Sequence, residues 1–159
     1  MQKITPFLWF NNEAEEAVKF YSRIFTGTKV KKTTRYGKNM PMPEGMVMTV
    51  EFKMLGQQFT ALNGGPIYKF NEAVSFVVHC DTQKQVDTYW KKLTENGGQE
   101  IQCGWLKDKY GLTWQVMPKD LIKYLSAKDK KKAAAAAQAM MQMKKLDINI
   151  IKKAYNSAG

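Results

Sequence analysis

Histidine occurs once in this 159-residue chain, as His79, and cysteine twice, as Cys80 and Cys103. Two thiols without CxxC spacing make no disulfide framework, so a reducing cytoplasm is the expected location. His79, Cys80 and Asp81 stand side by side and invite a reading as a reactive centre. Neighbours on a strand point to opposite faces, so His79 and Cys80 cannot serve one centre, and a structural histidine at a strand end is expected. Cys103 has no histidine in its stretch and reads as an inert buried thiol. Long apolar runs are missing as well. No segment is long enough for a membrane span, and Met1-Gln-Lys-Ile-Thr-Pro has no signal-peptide pattern, so no membrane partner is expected.

Acidic residues are scarce, 14 against 25 Lys plus Arg, for a net charge of +11. The excess is uneven: residues 119–159 carry ten lysines against Asp120, Asp129 and Asp147, leaving +7 there and +4 in the first 118 residues. A basic tail raises the question of nucleic acid. This one has no arginine and only Tyr124 and Tyr155 as aromatics. A solvated helix face is the expected account, with nucleic-acid binding the least favoured partner.

What the chain does have is enough apolar material for a core, 44% hydrophobic with 12% aromatic residues, in one domain or two small similar modules. Cys103 to Met117 reads as strand, tight turn, strand. Asp108 to Gly111 supply the turn, and Leu112, Trp114 and Val116 then alternate with Thr113, Gln115 and Met117. Before it, Ile4 to Phe10 reads as a strand and Glu13 to Phe25 as a helix, with Ala17, Phe20, Tyr21 and Ile24 on one face. Lys29 to Tyr36, Met46 to Lys53 and Gln57 to Asn63 read as strands, the last two hinged at Leu55-Gly56. Lys38 to Gly45, with Met40-Pro-Met-Pro43, is a loop, either a lid or a plain connection.

A shift of 69 residues superposes the chain on itself. Phe7 falls on Phe76, and Ala17, Phe20, Tyr21 and Ile24 fall on Val86, Tyr89, Trp90 and Leu93. The second copy has a strand (Ala73 to Cys80), a helix (about Gln83 to Glu95) and closing strands Gln99 to Leu106 and Leu112 to Met117. This is an internal repeat of β-α-β-β-β type. Two such modules curling together put helices outside and enclose a cleft, where a ligand would go. The tail reads as helix: Asp120 to Ser126, then Lys128 to Lys145 with its five alanines, then a last helix capped by Asp147 with Ile148, Ile151 and Tyr155 on one side.

The segments Ile4-Thr-Pro-Phe-Leu-Trp-Phe10, Ala61-Leu-Asn-Gly-Gly-Pro66, Cys103 to Gln115 and Lys144-Lys-Leu-Asp-Ile148 resemble the PhnB-like family of the glyoxalase/bleomycin-resistance (vicinal oxygen chelate) superfamily. Its members are often labelled 3-demethylubiquinone-9 3-methyltransferase. No Gly-rich strand-to-helix turn for a nucleotide-like methyl donor supports that label here. The resemblance implies an α+β fold of paired β-α-β-β-β modules forming a curved mixed-sheet cleft. Those modules span residues 1–118 (about 1–66 and 73–118), followed by a helical extension over 119–159. In metal-dependent members, His or Gln from the first strand and Glu from the last strand of each module hold a divalent ion. The matching positions here lie in Ile4-Thr5-Pro6, Ala73-Val74-Ser75, Thr60 (or Asn63 with a slipped register) and Gln115. None is an imidazole or a carboxylate, so neither metal nor other cofactor is expected.

The expected function is therefore binding of a small molecule in the inter-sheet cleft without a metal. The candidate ligand-binding residues are Trp9, Arg35, Tyr36, Asn63, Trp105 and Gln115, and no catalytic residue is assigned. The alternative is a metal-independent or metal-dependent enzyme of the same superfamily. A homodimer is expected, because Met140, Met143, Leu146, Ile148 and Ile151 need a surface and a two-fold partner offers one after about Ser126. The competing arrangement folds the tail back over its own modules.

Overall fold

The computed structural model describes residues 3–159 and forms two compact units that part between Phe70 and Asn71. The first unit runs β1 (Phe7–Phe10), α1 (Ala14–Ile24), β2 (Lys29–Arg35), β3 (Val47–Met54) and β4 (Gln57–Asn63). Its sheet has the order β1-β4-β3-β2, with β1 parallel to β4 and the other pairs antiparallel. The fold is the expected α+β repeat.

Strand pairing sorts the side chains onto two faces, because direct partners point the same way. Leu8 and Phe10 pair with Ala61 and Asn63, and Phe52 pairs with Phe59. All are buried on the side where α1 packs, against Ala17, Val18, Tyr21 and Ile24. Phe7, Trp9, Glu51, Lys53, Gln58, Thr60 and Leu62 share the opposite face. The β3–β4 hairpin turns on Leu55 and Gly56, both at positive φ (48° and 84°), as its short loop requires.

The start of α1 is held from a distance. Glu13 precedes the helix without capping it through its side chain. Instead, Asn63 Oδ1 on β4 accepts the Ala14 N–H at 2.8 Å, while Asn63 Nδ2 donates to the Val47 carbonyl at 3.0 Å. Tyr36 Oη donates to the Asn63 carbonyl at 2.6 Å. One buried amide thus joins the helix start to two strands.

The second unit repeats the pattern with β5 (Ser75–Cys80), α2 (Gln83–Thr94), β6 (Gln99–Glu100), β7 (Trp105–Lys107) and β8 (Thr113–Pro118), in sheet order β5-β8-β7-β6. Thr82 Oγ1 caps α2 by accepting the Gln85 N–H at 3.2 Å. Val78, Cys80, Leu106, Trp114 and Val116 form the buried face, with α2 packed on this sheet through Val86, Trp90 and Leu93.

The sequence repeat needs one correction. Phe7 faces away from α1 opposite Thr60, whereas Phe76 pairs with buried Trp114. The true counterpart of Phe7 is Val77, which lies opposite Gln115 as Phe7 lies opposite Thr60. The offset is thus 70 residues in the strands and 69 in the helices, because Asn11-Asn12-Glu13 connects the first pair and only Asp81-Thr82 the second. A one-residue slip turns every side chain of a strand to the other face.

The expected strand Gln99 to Leu106 is also interrupted. Cys103 and Gly104 take positive φ (59° and 82°) and donate their N–H groups to the carbonyls of Met143 and Lys144, at 2.8 and 2.7 Å. The tail that accepts them consists of α3 (Leu121–Leu125), α4 (Lys130–Met141) and α5 (Ile148–Ser157). The helix expected over Lys128 to Lys145 stops at Met141 because the carbonyls beyond it turn to this strand break. Asp129 and Asp147 cap α4 and α5, accepting Lys132 N–H at 3.1 Å and Asn149 N–H at 2.8 Å.

The tail buries its own apolar residues. Leu121, Ala136, Leu146 and Ile151 form a core joined by Met117, Met140, Met143 and Tyr155. Leu146 and Ile151, expected to reach a two-fold partner, are seated within their own unit. Gln83 on α2 fastens the same loop, donating to the Leu146 carbonyl at 2.9 Å and accepting the Ile148 N–H at 3.0 Å.

Candidate ligand site

The six residues singled out from the sequence fall into three settings. Trp9, Trp105 and Gln115 stand on the sheet faces turned away from α1 and α2. Trp105 and Gln115 are direct cross-strand partners, and Gln115 Nε2 donates to Ser75 Oγ at 2.8 Å. Trp9 Nε1 donates to the Gly65 carbonyl at 2.9 Å, and its ring meets Tyr68 edge-on at 4.9 Å between centroids. Tyr36 and Asn63 lie in the buried network around the α1 start, where their polar atoms hold the fold. Arg35 Nη1 donates to the Gly45 carbonyl at 2.8 Å and closes the base of the Met-Pro loop.

On the first unit, the face turned away from α1 contains a recess of about 300 Å³. Thr5, Phe7, Gln58 and Thr60 line it together with Lys31 and Glu51. None of the six sequence candidates is among its lining residues. Thr5 and Thr60 are two of the positions to which the superfamily resemblance assigns metal ligands, and Phe7 sits directly opposite Thr60. The equivalent positions of the second unit are Ser75, Val77 and Gln115.

The signal for Lys31 was hidden. The β2–β3 register slips between Val30 and Lys32, which pair with Phe52 and Glu51, so Lys31 is the extra residue of a bulge. Such a bulge cannot be read from alternation, because it breaks alternation.

The donor set does not fit a divalent ion. In the first unit Thr5 and Thr60, and in the second Ser75 and Gln115, offer only neutral oxygen at these positions, and Gln115 Nε2 is bonded to Ser75 Oγ. Among the described residues, no three of His, Cys, Asp and Glu gather closely enough to hold a metal. His79 is exposed and Cys80 buried, on opposite faces of β5. Burial, reinforced by the Asp81 carboxylate, pushes the Cys80 thiol up to about 11, which keeps it protonated and unreactive near neutral pH. A nucleotide-like methyl donor does not fit either. The three strand-to-helix connections, Asn11-Asn12-Glu13, Asp81-Thr82 and Lys119-Asp120, lack the glycine that would let backbone approach a bound group.

The chain was compared with known proteins. The family model described as 3-demethylubiquinone-9 3-methyltransferase matches residues 2–117. The PhnB protein of Bacillus cereus is 35% identical over 74% of this chain and 99% of its own, with a TM-score of 0.65. A protein of Pseudomonas aeruginosa is 20% identical over 75% of this chain and 98% of its own, with a TM-score of 0.61. The fosfomycin resistance protein FosX of Listeria monocytogenes shares the fold at 10% identity, over 73% of this chain and 91% of its own, with a TM-score of 0.51. No curated protein matches.

Proposed function

The chain belongs to the PhnB-like 3-demethylubiquinone-9 3-methyltransferase family, with the glyoxalase/bleomycin-resistance fold, and from that premise we propose that it binds a small organic molecule without a divalent metal. The observation that carries this reading is the recess around Phe7 and Thr60, where neutral and apolar groups occupy the positions that metal-binding relatives give to ligands. A volume of about 300 Å³ suits a small ligand. Trp9, on the same face of that sheet as Phe7, is proposed to contact the ligand at the rim of the recess, and Trp105 and Gln115 hold the matching face of the second sheet. Arg35, Tyr36 and Asn63 are proposed to support the site indirectly, by fixing the Met-Pro loop and the start of α1 in the same unit.

Native mass spectrometry with elemental analysis of the purified protein tests both halves of the reading. We expect no stoichiometric Zn, Ni, Mn or Fe, and small organic molecules that raise the melting temperature in proportion to their occupancy. A Thr60→Trp chain, with its recess filled, should lose that response. One tightly held metal ion per chain that is released on Gln115→Ala would overturn the metal-free half. An unchanged response from Thr60→Trp would overturn the placement in the recess.

An enzyme of the same superfamily, working without a metal, is the second reading. It has less support, since neither His nor Cys lines the recess, where Lys31 and Glu51 are the ionisable groups. The primary reading includes a homodimer in the cytoplasm whose contact does not draw on Leu146 or Ile151. Light scattering should give a dimer for the full chain and also for a chain ending at Leu125. A monomeric full chain would contradict it. No helix is long and apolar enough to cross a membrane among the described residues.

A further inference from the structure

We infer that the recess on the first sheet selects a small organic anion, a carboxylate or phosphate carried on an apolar body. This rests on the proposal that the recess binds a small molecule, and it adds the charge class.

The charge at the recess is set by how β2 meets β3. The bulge leaves Lys31 as an extra residue beside Lys32, which stands opposite the single carboxylate of Glu51, and Lys31 and Glu51 both line the recess. Two pairs along the ladder, Lys29 stands directly opposite Lys53, and Lys53 in turn pairs with Gln58, a lining residue. Like charges directly opposite one another in an antiparallel pair are destabilising. Lys29, Lys32 and Lys53 thus share one face with the carboxylate of Glu51, with Lys31 beside it at the recess, and that carboxylate can neutralise only one of the four ammonium groups. A sheet with no use for this charge would gain stability by losing a lysine at position 29 or 53. An anion in the recess would relieve the repulsion and gain from it.

The remaining lining completes the description of the ligand. The Phe7 ring is 59% exposed and offers an apolar platform. Thr5 and Thr60 supply hydroxyls suited to carboxylate or phosphate oxygens. The recess is too small for a polymer, so the anion is a single headgroup on a compact body. Lys31 is the specificity-determining residue, since it alone of the four lysines lines the recess.

The probes are benzoate, phenyl phosphate, benzyl alcohol, benzylamine and inorganic phosphate. Each is titrated into the isotopically labelled full chain while backbone amide shifts are followed. We expect benzoate and phenyl phosphate to shift the amides of Phe7, Gln58 and Thr60, and benzyl alcohol to bind about tenfold more weakly, the loss expected for one charged contact. Lys31→Gln should weaken both aromatic anions by a similar factor and leave benzyl alcohol unchanged. Lys19→Gln, on α1, should change nothing. Comparing the two anions separates carboxylate from phosphate, and inorganic phosphate shows whether the apolar body is needed.

If the alcohol or the amine shifts the same amides as strongly as the anions, the charge assignment fails and small-molecule binding stands. If Lys31→Gln leaves anion affinity unchanged, the assignment also fails. If anions shift lysine-rich segments of the tail as much as the recess, they bind as a diffuse atmosphere and the inference is overturned. If no probe moves the recess amides, the recess is not the site and the underlying proposal fails with it.

Discussion

Asp108 Oδ2 accepts the indole N–H of Trp114 at 2.9 Å, six residues along the chain, and both side chains are almost wholly buried. The other carboxylate oxygen, Oδ1, accepts the N–H groups of Tyr110 and Leu112 at 2.9 and 3.1 Å. A residue whose spacing marks it as an ordinary turn position is therefore the internal scaffold of the β7–β8 hairpin. It spares the turn backbone from burying unmet donors, and it fixes the ring against which Phe76 lies.

Asp108→Ala leaves three donors without their acceptor and should destabilise the protein by about 3 kcal/mol. Trp114→Phe removes one donor and should cost less, about 1–2 kcal/mol. Urea denaturation of both variants checks the order. Equal losses would mean that packing of the ring, and not the carboxylate, holds the hairpin.

Besides its hydrogen bonds to Gln83, Cys103 and Gly104, the tail has an apolar anchor and an ion pair whose sizes differ. Leu146 is fully buried in the tail core, so Leu146→Ala should cost about 2–5 kcal/mol. Lys145 Nζ lies 2.6 Å from Asp87 Oδ1, with both side chains more than 40% exposed, so Lys145→Ala should cost under about 1 kcal/mol. High salt should erase the second effect and leave the first. A Lys145→Ala loss as large as that of Leu146→Ala would show that the tail is held electrostatically.

Cys80 gives a pH dependence of known sign. Its thiol is held up from 9.0 to about 11, chiefly by burial and then by Asp81. The folded chain keeps a proton that the unfolded chain releases near pH 9. Stability from this group is complete below pH 9, falls as pH rises towards 11, and is lost above that. Stability should drop more steeply across this window than in a Cys80→Ala chain, by about 3 kcal/mol at most. Parallel curves would contradict the assignment.

Gly64 has no room for a side chain. A methyl group placed on its Cα would overlap the Trp9 ring. Gly64→Ala should displace Trp9, break its bond to the Gly65 carbonyl and change its fluorescence, with a loss of about 1–3 kcal/mol. An unchanged spectrum would mean that the ring moves aside without consequence.

Much of this architecture is legible in residue order, for identifiable reasons. Ala17, Phe20, Tyr21 and Ile24 define a helix face by their spacing, and their counterparts in α2 follow. Leu55-Gly56 and Asp108 to Gly111 mark their turns through backbone conformations that few residues adopt. The register between the two first strands was read one residue out, because helix spacing gives no information on strand parity. The cap on α1 comes from Asn63, 49 residues away, and no local pattern announces it. The break at Cys103 and the end of α4 each depend on the other segment, so neither shows in its own neighbourhood. None of the six candidate ligand residues lines the recess; Thr5 and Thr60 lie at strand positions that the family resemblance points to, and Lys31 is concealed by its bulge.

The amide that organises the start of α1 also bears on how the protein ages. Asn63 precedes Gly64, a pairing prone to deamidation when the glycine nitrogen can swing onto the side-chain carbonyl. Here that nitrogen donates to the Phe10 carbonyl at 2.9 Å, and both ends of the Asn63 amide are engaged. Asn96-Gly97, in an exposed turn with both residues at positive φ, has no such restraint on its side chain from a distant strand. Stored protein should therefore gain negative charge first at residue 96, beyond the end of α2, while the amide at residue 63 outlasts it.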